Sequence, residues 1–137
     1  MKGVGYFVLY DSMFLMKRTG EVVHGAGRGA GLGFPTLNVA VADFELPFGV
    51  YVGWLTFEQK KYSMVMNWGG RPTFGEEAPV LEVHLLEGSG DFYGKTVEVE
   101  VGPKLREVRR FAGVAELRTQ IAEDVRRARE FFQSGTL

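Results

Sequence analysis

The chain has 137 residues, with 16 lysines and arginines against 17 aspartates and glutamates, a formal net charge of −1, 45% hydrophobic residues and no cysteine. That length is enough for one domain with a true apolar core, and residues 1–137 are expected to form a single domain with its core over about 20–132. Near-neutrality gives no support for broad binding to nucleic acid, whose phosphates call for a strongly basic surface, and the lack of cysteine excludes disulfides, thiolate metal sites and a cysteine nucleophile.

The first apolar run, Val4 to Tyr10, stops at Asp11. It is far too short to cross a bilayer, and no small-residue cleavage site of a signal peptide accompanies it, so the expectation is a soluble cytoplasmic protein without a membrane partner. From about Tyr6 to Val101, short runs rich in Val, Tyr, Phe and Trp alternate with Gly, Pro and charged clusters, which is the punctuation of strands. Strands are predicted at Tyr6–Leu9, Gly20–His24, Thr36–Val41, Gly49–Phe57, Lys61–Asn67, Val80–Leu86 and Thr96–Val101. The Glu58-Gln59-Lys60 step reads as a hairpin turn and Gly88-Ser89-Gly90-Asp91 as a longer loop. From about Val114 the period changes. Leu117, Ile121, Val125, Ala128 and Phe132 recur every three or four residues, with Arg118, Glu123, Arg126, Arg127 and Glu130 between them, predicting one amphipathic helix packed on the sheet. Many short strands and one terminal helix favour a closed or nearly closed antiparallel barrel, because closure disposes of exposed strand edges.

Between the second and third predicted strands, glycine occupies alternate positions from Gly25 through Gly27, Gly29 and Gly31 to Gly33, and the chain then runs into Phe34-Pro35-Thr36-Leu37-Asn38. Backbone without Cβ atoms can turn successive N–H groups onto a phosphate. Thr36 and Asn38, two apart on an extended segment, point the same way and offer two oxygen ligands to a hard cation. Together these point to a magnesium-nucleotide site, although glycine-rich stretches also serve as plain flexible loops. Neither common phosphate loop is present: Pro35 and the Leu37-Val39-Val41 alternation replace the helix of a dinucleotide fold, and no lysine lies between Lys17 and Lys60 for a Walker loop.

In the strand Val80–Leu86, Leu81, Val83 and Leu85 share one face, which must be core, while Glu82 and His84 share the other. That second face is either solvent-facing or, if it meets Thr36 and Asn38, a place where a carboxylate takes a proton from a substrate hydroxyl. Asn67-Trp68-Gly69-Gly70-Arg71-Pro72-Thr73-Phe74 places one aromatic and one cation among glycines and reads equally as a structural corner. Further on, Arg106 and Phe111 are suited to clamp a planar aromatic ligand, in a segment that reads otherwise as a solvated surface. In Asp91-Phe92-Tyr93-Gly94, Tyr93 is available to a nucleotide base, unless both aromatics fill the barrel mouth.

In this order the segments resemble the riboflavin kinase (flavokinase) family. The matching pieces are Gly33-Phe34-Pro35-Thr36-Leu37-Asn38, Gly70-Arg71-Pro72-Thr73-Phe74, Glu82-Val83-His84, Asp91-Phe92-Tyr93-Gly94 and Leu105-Arg106 through Phe111, spread from roughly Gly20 to Arg129. The resemblance implies a six-stranded antiparallel Greek-key barrel with a C-terminal helix that transfers the γ-phosphate of ATP to the 5′-hydroxyl of riboflavin, giving FMN and ADP. It implies Glu82 as general base and Thr36 and Asn38 as holders of Mg2+ beside the phosphates. Gly25, Gly27, Arg28, Gly29, Thr36 and Tyr93 would line the nucleotide site, and Arg106, Arg109 and Phe111 would bound the flavin. Two positions depart from the family pattern: Ala30-Gly31 replaces a basic residue in the glycine loop, and Val108 stands where an acidic residue is usual. No adenylyltransferase motif precedes the barrel, so FAD synthesis is not expected of this chain. A kinase for another small alcohol and a non-catalytic flavin- or nucleotide-binding barrel are the alternative functions.

Overall fold

Period-two burial turns the strand segments into the wall of a barrel. The computed structural model describes residues 16–24, 36–41, 44–69 and 80–135. Six strands, β1 (Met16–Val23), β2 (Thr36–Ala40), β3 (Gly49–Phe57), β4 (Lys60–Trp68), β5 (Val80–Leu85) and β6 (Thr96–Arg106), pair antiparallel in the order β1-β2-β5-β4-β3-β6 and close on themselves. A helix, α1 (Val114–Ser134), follows. The predicted strand Tyr6–Leu9, the glycine segment with Gly25, Gly27, Arg28 and Gly29, and Gly70 to Phe74 lie outside the described residues.

Val39, Leu55, Met64, Met66, Leu81, Val83, Val97 and Val99 fill the interior, essentially without exposed surface. Aromatic rings fill both ends. At one end Phe92 meets Phe57 and Tyr62 edge-on, with centroids 5.3 and 5.5 Å away. At the other, Phe44 meets Trp68 edge-on at 4.8 Å, the Trp68 indole N–H donates to the Leu46 carbonyl at 2.8 Å, and the Tyr51 hydroxyl donates to the Pro47 carbonyl at 2.6 Å. The first end collects the starts of β2, β4 and β6, and the second collects their finishes.

β6 continues five residues past the predicted end at Val101, through Gly102 and Pro103 to Arg106. The pair read as punctuation, but the ladder to β3 shifts register between Val50 and Gly53, and such an irregularity tolerates a residue without an N–H. Gly53 is required there, because a Cβ would collide with the Glu100 carbonyl. β1 likewise begins at Met16, where the polar Lys17-Arg18-Thr19 run masked a strand paired with β6.

α1 lies on the outer face of the barrel, where Ile121, Val125, Ala128 and Phe131 pack with Val50, Val52, Val65, Leu86 and Leu105. The inward aromatic is Phe131 rather than the predicted Phe132, which is half-buried against Trp54 at a ring distance of 4.7 Å. At the helix start the Glu116 carboxylate accepts the Ala112 N–H at 3.0 Å; at its end Gly135, with φ 82°, donates to the Phe131 carbonyl at 2.6 Å. Among the described residues no helix is long and apolar enough to cross a membrane.

The predicted turn between β3 and β4 holds Glu58 and Gln59 at φ 51° and 71°. Both lie in the left-handed region that two-residue hairpins demand and that residues with a Cβ adopt at a cost. Replacing both at once, Glu58→Asn with Gln59→Gly, is expected to stabilise the fold by about 1 kcal/mol, raising the melting temperature by about 3–5 °C. An unchanged or lower melting temperature would mean that these two side chains contribute more than the turn strain costs.

Candidate active site

The pairing of β2 with β5 sets Thr36 opposite His84 and Asn38 opposite Glu82, and the pairing of β5 with β4 sets Asn67 opposite Glu82. Directly opposed residues share a face with Cβ atoms about 4.5–5.5 Å apart. Leu81, Val83 and Leu85 point into the barrel, so this second set points out. The two oxygen-bearing residues of β2 and the carboxylate of β5, far apart in sequence, thus stand side by side. Asn67 completes a row Asn38–Glu82–Asn67 across three strands. Sequence reading placed Asn67 at the end of a predicted strand and the start of a punctuated loop but gave it no role, because its membership in the row depends on the β4–β5 register.

His84 is not the solvent-facing residue that a polar position on a strand suggests. It is 5% exposed, and its Nδ1 lies 3.3 Å from the Thr36 hydroxyl oxygen. Burial pushes its pKa below the usual imidazole range, against the opposing pull of the Glu82 and Asp124 carboxylates. The uncharged ring is therefore the favoured form. Glu82, Asn38 and Asn67 are half-buried, open enough on one side to be reached by a ligand.

At the end of the barrel where β2 begins, the two aromatics of the Asp91–Gly94 turn divide. Phe92 enters the barrel, whereas Tyr93 is 52% exposed and stacks on His24 at a centroid distance of 3.8 Å. Among the described residues no group of three or more His, Cys, Asp or Glu is able to cage a metal. Thr36 and Asn38 instead supply neutral oxygen donors. Such a sparse set fits magnesium, which keeps much of its shell on phosphate and water.

The opposite end carries the segment expected to bound a flavin, and here the structure separates its members. Arg106 closes β6 and is clamped to Asp124 on α1, with Nε donating to Oδ1 at 2.8 Å and Nη2 to Oδ2 at 2.7 Å. Its remaining Nη1 donates to the Glu107 carbonyl at 2.9 Å. Arg109 and Phe111 take a different course: the guanidinium lies over the ring at 5.2 Å. With Ala115, Glu116, Thr119 and Gln120 they line an open cleft of about 360 Å³ against the start of α1. Phe111 is half-buried there rather than sunk in the core. Asp124 escaped sequence reading because an acid among helical charges carries no sign that its partner lies on a strand.

A family model described as riboflavin kinase (Flavokinase) matches residues 13–132. The chain is 44% identical over 116 residues to the bifunctional riboflavin kinase/FMN adenylyltransferase of Escherichia coli strain K12, an overlap covering 83% of this chain and 37% of that protein. The chain thus spans little more than a third of the length of that relative. Among solved structures, one from Streptococcus pneumoniae described as a macrolide-efflux protein superposes with a TM-score of 0.74 at 34% identity, over 82% of this chain and 38% of the other. Riboflavin kinase from Trypanosoma brucei superposes with a TM-score of 0.60 at 24% identity, over 86% of this chain and 77% of its own, a likeness of fold.

The lowered His84 pKa makes stability depend on pH. The unfolded chain binds a proton near pH about 6.5 that the folded state resists, so this contribution is full above that pH and is lost as pH falls below it. The melting temperature of the wild type should therefore drop more between pH about 7.5 and 5.5 than that of His84→Asn. Parallel pH profiles for the two proteins would show that His84 titrates alike in both states.

Proposed function

The chain belongs to the riboflavin kinase family, and from that premise we propose that it transfers the γ-phosphate of ATP to the 5′-hydroxyl of riboflavin, producing FMN and ADP. The observation that carries this reading is the outward row Asn38–Glu82–Asn67, which lies on the barrel wall between the end bearing Tyr93 and the end bearing Arg109 and Phe111. The adenylyl transfer named for the Escherichia coli relative is not part of the proposal.

In this mechanism the nucleotide occupies the end where Tyr93 stands, its phosphates held by the amides of the Gly25, Gly27, Arg28 and Gly29 segment. Thr36 and Asn38 would hold a magnesium ion, which supplies charge neutralisation to the phosphates. The row that carries Glu82 is one inward-outward repeat, about 7 Å, further along the strands than the row of Thr36 and His84. Because Asn38 stands opposite Glu82 in that row, the carboxylate lies beside the cation site, where an acceptor hydroxyl would meet both. Glu82 takes the hydroxyl proton as the oxygen bonds to the γ-phosphorus; the bond to the β–γ bridging oxygen breaks and its electron pair leaves with ADP. Asn38 and Asn67 flank that carboxylate and limit its swing. Arg109 and Phe111 hold the flavin ring, and Arg106 braces the segment that carries them.

His84 supports the arrangement from beneath. An uncharged imidazole beside Thr36 adds no positive charge near the phosphates, and its Nδ1 lies within reach of the Thr36 hydroxyl.

Purified protein given riboflavin, ATP and magnesium is expected to form FMN, a product that sets this reading apart from a kinase for another small alcohol and from a non-catalytic flavin- or nucleotide-binding barrel. Glu82→Gln should retain the fold and nucleotide binding and lower turnover by about 10²–10⁴-fold. Turnover at the wild-type rate in a direct FMN assay would remove Glu82 from the role of base. Asn38→Ala should weaken magnesium-dependent ATP binding more than riboflavin binding measured without nucleotide, since the lost oxygen serves the cation. Equal loss of both affinities together with a lower melting temperature would assign Asn38 to the architecture instead.

A further inference from the structure

Asp124 is, with Glu100, one of two buried acids among the described residues for which the proposed chemistry has no direct use. It sits on the core-facing side of α1 beside Ile121, Val125 and Ala128, and its side chain is 5% exposed. No ligand on the barrel wall reaches a carboxylate so enclosed. Its oxygens are nonetheless committed: Oδ1 accepts from Arg106 Nε at 2.8 Å and from Gln120 Nε2 at 2.9 Å, and Oδ2 accepts from Arg106 Nη2 at 2.7 Å.

The contact with Gln120 has a directional consequence. A carboxylate only accepts, so it draws the amide nitrogen of Gln120 toward itself and leaves the amide oxygen pointing away. That oxygen accepts Arg109 Nη1 at 2.6 Å, and Arg109 lies over the Phe111 ring at 5.2 Å. An apolar group in place of Asp124 would remove one of the two partners that fix the amide and leave Gln120, and with it Arg109, anchored at one end only.

We propose that Asp124 is a positioning residue for flavin binding, which clamps Arg106 at the end of β6 and, through the enforced orientation of the Gln120 amide, aims Arg109 over Phe111. The proposal rests on the reading that Arg109 and Phe111 meet the flavin. It goes further in making an acid on the helix set acceptor affinity without touching the acceptor.

The test reads riboflavin affinity by quenching of its fluorescence, magnesium-ATP affinity by calorimetry and folding by melting temperature, for Asp124→Asn, Gln120→Met, Arg109→Gln and the double variants. Gln120→Met cuts the relay yet leaves the Arg106–Asp124 pair intact, so it keeps the question answerable if Asp124→Asn folds poorly. Gln120→Met is expected to weaken riboflavin binding about tenfold, the scale of a hydrogen bond to a charged group, with magnesium-ATP affinity and melting temperature unchanged. Combined with Arg109→Gln it should add nothing further, and Asp124→Asn should add nothing through Arg109 once Gln120 is replaced. If Arg109→Gln weakens riboflavin binding but Gln120→Met does not, or if their effects add in full, the positioning role is wrong while the flavin reading stands. If Arg109→Gln leaves riboflavin affinity unchanged, the flavin reading of Arg109 fails and takes the positioning role with it.

Discussion

A slip of one residue in the pairing of β2 with β5 would carry Glu82 and His84 into the apolar interior and turn Leu81, Val83 and Leu85 out to the helix side. The apolar contacts of those three side chains forbid it. The same register that buries them puts Thr36 beside His84 and Asn38 beside Glu82, so the alignment of the candidate site is a by-product of core packing. Closure of the barrel strengthens the constraint: β5 is held on its other side by β4, where Met64 meets Leu85 and Asn67 meets Glu82. Neither neighbour can shift alone.

On the outward face, α1 decides which polar groups stay wet. Near where its apolar side lies on Val50, Val52, Val65 and Leu105, His84 and Asp124 are buried and Arg106 is largely covered. Beyond that cover Glu82, Asn38 and Asn67 remain half-buried. The two environments suit different tasks. A largely buried ion pair with most of its donors and acceptors matched gives geometry at the expense of adaptability, while a half-buried carboxylate stays within reach of solvent.

Strand and helix positions were legible because burial imposes periods of two and of three to four on the side chains, and β3 follows its predicted limits, Gly49–Phe57, residue for residue. Legibility failed where the backbone departs from regularity. Gly102 and Pro103 signal a break in any local reading, and only the irregular ladder with β3 carries β6 past them. The choice between Phe131 and Phe132 turned on the docking angle of α1, which no local pattern holds. At the site, Thr36, Asn38 and Glu82 announced themselves through chemistry at a spacing of two, a signal contained within single strands. Asn67 and Asp124 find their neighbours far away in sequence, on β5 and β6 respectively, and a list of residues holds no such adjacency.

The filled lumen has a consequence of its own. With Phe92 stoppering one mouth and Trp68 and Phe44 the other, this barrel is a mandrel rather than a vessel: nothing is carried inside it, and whatever it handles must lie along its wall. On β2 and β5 one set of side chains answers to packing and the alternate set carries the polar row Thr36, Asn38, Glu82 and His84, whereas the outer sets of β3, β4 and β6 in part carry the helix. New chemistry can be tried on the outer set by substitution while the stoppered inside is left untouched, but a single inserted or deleted residue exchanges the two sets at once. A fold of this kind is open to change in its letters and closed to change in its spacing.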